Sequence, residues 1–162
     1  MYYLLLIKLL YLADRQTLIE RGSPITGDRL VSMDYGPVLS KVKDLITMET
    51  ESEVDGEVWR EYVTEPERYR VRSRKSDPEV SELSDYELSI LEQIDEAFGK
   101  WDRFYLSKWT HRLPEWTDPH KSSLPIDPEV ILRHTGKSSE EIASIADDAE
   151  QSAFMRQILV AP

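Results

Sequence analysis

The most apolar stretch of the chain lies at its start, where residues 2–13 are hydrophobic at every position except Lys8. An α-helix completes a turn in about 3.6 residues, so this run leaves no polar stripe, and a helix of that kind is covered on several sides. The run is shorter than the ~20 residues that span a membrane, and Asp14 and Arg15 end it. We therefore predict a buried core helix that continues to a left-handed end at Gly22. A helix that faces a partner chain is the alternative.

Two charged residues on this helix, Lys8 and Asp14, need partners, because burying an unpaired charge costs several kcal/mol. They are six positions apart and so do not pair with each other within one helix. We expect Asp14 to cap or pair with another segment of the chain. Direct contact of Asp14 with a binding partner is the alternative.

The segment 35–38, Tyr-Gly-Pro-Val, predicts the start of a second helix, because proline suits the first helical position, where its missing N–H is not needed. Apolar residues then recur at helical spacing, at Val38, Val42, Leu45 and Ile46. Residues 30–35 fit a short strand or an irregular link. Residues 23–28 and the acidic residues 47–56 are predicted to be loops.

The strongest β signal comes from residues 57–63 and 68–74, which are rich in aromatic and β-branched side chains and flank a turn candidate at residues 64–67. Alternate residues of a strand share a face, and this places four arginines side by side: Arg68, Arg70, Arg72 and Arg74. The predicted hairpin pairs Val63 with Arg68 and thereby sets Glu61, Trp59 and Glu57 opposite Arg70, Arg72 and Arg74. The arginines are then structural partners; an anion-binding stripe or a contact with a partner protein is the alternative.

Capping signals predict the later helices. Ser84 and Glu87 form a capping box that opens a helix ending at Gly99. Further helices are predicted over residues 101–112 with Asp102 as N-cap, over residues 127–134, and from residue 139 onward. Together these elements predict an α+β fold that is predominantly helical, with the N-terminal helix packed at its centre by several helices and a small β-hairpin.

Composition narrows the function. The 162 residues suffice for one domain, and the absence of cysteine removes disulfides and thiolate chemistry and fits a reducing, cytoplasmic environment. The net charge of −11 repels phosphate backbones, so a basic protein partner is favoured over nucleic acid or a DNA-binding regulator. We expect no membrane association. The modestly apolar last helix leaves a homo-oligomer open.

Catalytic motifs such as glycine-rich phosphate loops are absent from the sequence. The densest group of potential metal ligands is His111, Glu115, Asp118 and His120. Prolines interrupt this segment, so the residues are not expected to share a face. We interpret His111 as an imidazolium that caps carbonyls at a helix C-terminus, and a metal-dependent hydrolase is the alternative. We predict no catalytic residues, metal or cofactor.

Four segments in order resemble one family: residues 8–14 (KLLYLAD), 25–28 (ITGD), 35–38 (YGPV), and 106–116 with their Thr-His pair and Pro–Trp region. They resemble the Panacea domain of the SocA-like antitoxins, which are related to phage-associated GepA-type proteins. The matching positions are Lys8, Tyr11, Asp14, Gly36, Pro37, Thr110, His111 and Trp116. The match leaves open whether they build the fold or contact a toxin.

The resemblance implies a mainly helical antitoxin that neutralises a cognate toxin, encoded beside it, by direct contact. It also suggests an alternative role as an adaptor that delivers the toxin to a ClpXP-type protease. We expect the Panacea domain to cover residues 1–120 and a helical extension, residues 121–162, to pack on it. Family members usually carry a segment before the first helix, so we expect either that this chain begins late or that a neighbouring element is truncated, with one side of that helix exposed. Anchors for the partner are sought among Trp59, Trp101, Trp109 and Trp116.

Overall fold

The computed structural model describes residues 1–76 and 81–160 of the chain. Seven helices and a three-stranded antiparallel sheet form this part, which confirms the predominantly helical α+β class. The helices are α1 Tyr3–Arg21, α2 Ser40–Thr47, α3 Glu53–Tyr62, α4 Asp85–Phe98, α5 Arg103–Thr110, α6 Pro128–His134 and α7 Ser139–Val160. The strands are β1 Leu30–Met33, β2 Gly36–Leu39 and β3 Leu124–Pro125.

Helix α1 is the centre of the core, as predicted. Its residues are buried on several sides because α4, α5, α6 and β2 all pack against it. Gly22 ends the helix with a left-handed φ of 75°, and its N–H donates to the Leu18 carbonyl. We expected an exposed apolar side, but the apolar residues of α1 that are not buried are all half-buried: Tyr3, Leu4, Leu6, Leu10 and Ile19. Within the described ranges, no helix is both long and apolar enough to cross a membrane.

The predicted helix start at Pro37 is wrong, because this residue lies in β2. Strands β1 and β2 form a tight antiparallel hairpin, with Met33 opposite Gly36 and Leu30 opposite Leu39. Helix α2 begins at Ser40, directly after β2. Its first turn is capped from a distance, since the carboxylate of Asp28 accepts the N–H groups of Lys41 and Val42 at 3.0 Å each. Of the apolar positions that we assigned to this helix, Val38 lies in β2, while Val42, Leu45 and Ile46 lie in α2 and Ile46 is fully buried.

The predicted hairpin over residues 57–74 is also wrong. The first of its strands is the second half of α3, an amphipathic helix that Ser52 caps by accepting the Asp55 N–H. Residues 63–75 form an irregular segment in which Arg68 and Tyr69 have positive φ, a tight turn that interrupts any strand. Val63 pairs with Ser73 rather than with Arg68, so the predicted ion pairs do not form.

The capping signals predicted the later helices correctly. Ser84 and Glu87 form the reciprocal capping box of α4. Asp102 accepts two N–H groups at the start of α5, and Asp127 accepts the Glu129 N–H at the start of α6. Sequence reasoning missed β3, whose two residues pair with Val31 and Ser32 of β1 in the sheet order β2-β1-β3. The later helices contribute Ile131, Leu132 and Ile142 to the same core cluster as α1.

Candidate functional site

Lys8 is the most unusual polar residue of the core. Its side chain is fully buried, and the amine donates to the Pro37 carbonyl of β2 at 2.7 Å. Burial lowers the pKa of Lys8 to about 7, because the surrounding protein solvates an ammonium ion poorly. The bond joins the first family segment to the third, and it holds β2 against α1.

One helical turn later, Tyr11 binds a carboxylate that sequence reasoning assigned only to a hypothetical metal site. Its hydroxyl donates to Glu115 Oε1 at 2.9 Å. Arg15 donates to both oxygens of Glu115, at 2.6 and 3.3 Å, so this buried carboxylate is fully used. Burial and the neighbouring Glu115 raise the pKa of Tyr11. The pairing attaches the segment after α5 to α1.

Asp14 pairs with a different segment of the chain, as expected. It accepts the backbone N–H of Thr26 at 3.0 Å and also the Thr26 hydroxyl. Burial raises the pKa of Asp14, and the bonds from Thr26 partly oppose that shift. Residues 25–28 therefore stabilise the fold in two ways: Thr26 donates hydrogen bonds to Asp14, and Asp28 caps α2.

Gly36 sits where four segments meet. Its φ is +89°, a conformation that side chains rarely adopt, and a Cβ there would lie 2.5 Å from the Thr110 hydroxyl oxygen and 3.1 Å from Lys8 Nζ. The hydroxyl of Ser107 donates to the Tyr35 carbonyl at 2.7 Å and ties the same turn to α5. Glycine at this position permits β2, α1 and α5 to approach closely.

His111 stacks on Trp116, with ring centroids 4.1 Å apart and planes inclined by 14°. The Trp116 indole N–H donates to the Met33 carbonyl at 3.1 Å, which fixes the pair beside the β1–β2 turn. Burial and the nearby Lys8 lower the pKa of His111, so the neutral imidazole is favoured. This direction counts against the imidazolium form that we expected, although His111 does lie at the C-cap position of α5. Its Nε2 is buried and has no hydrogen-bond partner among the residues that the structure describes.

The structure does not bring the four potential metal ligands together. Glu115 faces Tyr11 and Arg15, while His111 stacks on Trp116. Asp118 and His120 lie 3.6 Å apart in an exposed loop. Across residues 1–76 and 81–160, no group of three or more histidines and carboxylates could hold a metal ion.

Three of the four predicted stripe arginines, Arg68, Arg70 and Arg72, line a groove of about 450 Å³ beside Tyr2. The guanidinium of Arg70 lies 4.2 Å from the Tyr2 ring centroid, and Arg103 of α5 lies 3.6 Å from it. Hydrogen bonds from these arginines lower the pKa of Tyr2. The fourth, Arg74, instead donates to the Val63 carbonyl at 3.3 Å. Two glutamates share the groove lining, so its role in binding an anion or partner stays a prediction.

The four tryptophans have different surroundings. Trp101 and Trp109 pack with Phe98 of α4 in one aromatic cluster, with ring centroids 5.0 to 6.1 Å apart. Trp116 supports the β1–β2 turn. Trp59 lines a second groove, between α2 and α3. All four are partly buried. Because Trp59 lines a groove, it is the one of the four that a ligand could best reach.

Taken together, the family positions form a network of buried polar bonds centred on α1 and the β1–β2 turn. Lys8, Tyr11, Asp14 and Thr110 are at most 1% exposed, and their polar atoms bond within the chain. Sequence reasoning missed Arg15 and Ser107, and it noted Thr26 only within a family segment and Glu115 only as a potential metal ligand. For Glu115, its position directly before the family residue Trp116 was the signal that could have indicated a structural role. The arrangement supports a scaffold rather than a reaction centre.

Comparison with protein families gives one match. The family model described as antitoxin SocA-like, Panacea domain, matches residues 6–117. No curated protein matches the chain, and no solved structure matches it. The matched residues contain the whole buried network, from Lys8 to Trp116. The chain therefore belongs to the SocA-like antitoxin family and carries its Panacea domain.

Proposed function

We propose that this protein is the antitoxin of a toxin–antitoxin pair and neutralises a cognate toxin by direct protein–protein binding. The family match over residues 6–117 carries the proposal. The placement of the motif side chains supports it, because buried groups that bond to one another are not arranged to touch a substrate. We propose that the partner is encoded by the adjacent gene and that the complex acts in the cytoplasm without a cofactor.

The charge of the chain supports a basic toxin. With a net charge of −11 and an isoelectric point near 4.8, the protein attracts a cationic partner over a distance and repels nucleic acid. A stable complex of this kind buries about 1,200–2,000 Å². Its association rate falls as salt screens the two charge fields.

Co-expression with the product of the adjacent gene tests the proposal. We expect this chain to restore growth of cells that produce the toxin and to co-purify with it. Gly36→Val provides the unfolded control, because its side chain would enter the space of Thr110 and Lys8. The proposal fails if the folded wild-type chain neither restores growth nor co-purifies.

The same experiment separates inhibition from delivery to a protease. Direct inhibition predicts that growth is restored in cells with or without a ClpXP-type protease, and that the toxin accumulates in the complex. The adaptor alternative predicts that the toxin level falls and that growth returns only when the protease is present.

A further inference from the structure

A groove of about 830 Å³ lies between α2, α3 and the loop that precedes β1. Pockets that bind ligands have volumes of roughly 300–1,000 Å³, so the space is ample for several side chains. Apolar side chains form its floor: Val42 and Leu45 of α2, Val58, Trp59 and Tyr62 of α3, and Val63 after it. This floor lies in the matched domain, outside the four motif segments.

Helix α3 leaves much of its apolar stripe uncovered. Amphipathic helices normally bury such a stripe against the core. Here Gly56 is the one fully buried residue of the helix, and Trp59 and Tyr62 are only partly buried. Val58 is 55% exposed although it lines the groove, whereas the exposed Val54 lies outside the groove lining. The helix therefore offers an apolar wall to a ligand.

The rim of the groove is acidic. Its charged residues are five carboxylates and two cations. The carboxylates are Asp28, Asp44, Glu49, Glu51 and Asp55, and the cations are Arg29 and Lys41. Asp28 is used for capping α2, and Lys43 holds Asp44 and Glu49. Glu51 and Asp55 make no salt bridge within the described residues and are exposed. Their charge is available to an incoming ligand.

We propose that this groove binds a basic amphipathic helix of the cognate toxin, with apolar side chains on the floor and lysines or arginines along the rim. The proposal rests on the proposed function and assigns its contact surface. Helices commonly dock in this way, through anchors spaced three and four residues apart. Charge selects this occupant, since a second copy of this chain would bring another net charge of −11 to an acidic rim.

Matched pairs of surface variants test the groove. Val58→Ser and Glu51→Lys alter the floor and the rim, whereas Val54→Ser and Glu57→Lys make the same changes outside the lining. All four sites are exposed, so the variants should fold. We expect the groove variants to weaken the binding of the adjacent gene product about tenfold and the controls to change it less than about twofold. If the groove variants neutralise the toxin as well as the wild type does, the groove is not the contact surface, while the antitoxin function stands. If the wild type does not bind the toxin, the proposed function fails.

A synthetic peptide tests the groove without the toxin. The probe is an amphipathic leucine–lysine peptide with leucines at helical spacing, and a leucine–glutamate peptide is its control. Binding of the lysine peptide should change the tryptophan fluorescence, weaken with salt, and lose this signal in Trp59→Phe but not in Trp101→Phe. Equal binding of the two peptides would overturn the proposal. So would a Val58→Ser chain that changes oligomeric state in size-exclusion chromatography, because the groove would then hold a second copy.

Discussion

Replacing Lys8 with methionine tests the central feature of the core, a buried amine. Burial lowers the pKa of Lys8 to about 7, while a lysine in an unfolded chain titrates near 10.4. Below pH 7 both states hold the proton, and the folded state carries the full cost of a buried charge. Between the two pKa values the unfolded state binds a proton that the folded state has lost. The free energy of unfolding therefore rises with pH in this window.

The slope sets the magnitude. A difference of one proton changes the free energy of unfolding by about 1.4 kcal/mol per pH unit, so wild type should gain about 2.7 kcal/mol between pH 7.5 and 9.5. This is an upper limit, because the bond from Lys8 to the Pro37 carbonyl favours the charged amine. Lys8→Met lacks the titrating group and should lose this gain, while other groups cancel in the comparison.

The assay is urea unfolding at both pH values, followed by the fluorescence of the tryptophans. Lys108→Met is the matched control, because Lys108 is exposed on α5 and should leave the pH dependence unchanged. Equal pH dependences for wild type and Lys8→Met would refute the reasoning, since they would mean that the buried amine stays protonated throughout the window.

Two further predictions concern the buried network, and a third concerns the exposed loop that carries His120. Gly36→Ala should destabilise the fold by roughly 2–4 kcal/mol more than Gly136→Ala. Both positions have φ near +90°, but only Gly36 has no room for a Cβ. Urea unfolding measures the difference. Glu115→Gln should lower the free energy of unfolding by about 2–4 kcal/mol, because it leaves Tyr11 and Arg15 without the carboxylate that they share. The control Glu129→Gln removes an exposed salt bridge and should lower it by under about 0.5 kcal/mol. His120→Ala should leave toxin neutralisation and the metal content of the purified protein unchanged, as growth assays and elemental analysis would report.

The elements that sequence reasoning predicted correctly are those with local causes. The apolar run of α1 needs burial wherever the chain goes, and Gly22 ends it by its own backbone freedom. The Ser84 capping box and the Asp102 and Asp127 caps bond to N–H groups two or three residues away. Because donor and acceptor are close in sequence, such signals can be read before the fold is known.

The elements that were mispredicted depend on contacts distant in sequence. Gly36-Pro37 has the composition of a helix start, but Gly36 adopts a left-handed φ, and a Cβ there would collide with Thr110 of α5. Residues 57–62 of α3 were predicted to be a strand because of their aromatic and β-branched side chains. The helix signals in the same segment, the Ser52 cap and the helical spacing of Val58 and Tyr62, were given too little weight. Strand β3 is only two residues long, and its pairing with β1 defines it.

The candidate site was half predictable for the same reason. Resemblance to a family identified Lys8, Tyr11, Asp14 and Pro37, but it did not say which of the family positions bond to one another. The partners lie 29, 104 and 12 positions away along the chain, and no pattern within a helix encodes such distances. Likewise, the stack of His111 on Trp116 follows from a turn that the sequence did not reveal.

The family motif and the proposed binding groove impose opposite physical demands on the chain. A buried bond such as that of Lys8 to Pro37 tolerates little change, because an orphaned polar group costs about 1–3 kcal/mol out of a total stability of roughly 5–15 kcal/mol. Exposed positions such as Glu51 and Val58 can change at a cost within about 0.5 kcal/mol. A domain built in this way can exchange the charges and apolar anchors of its groove while its core stays the same. Matching the motif therefore identifies the scaffold without naming the partner.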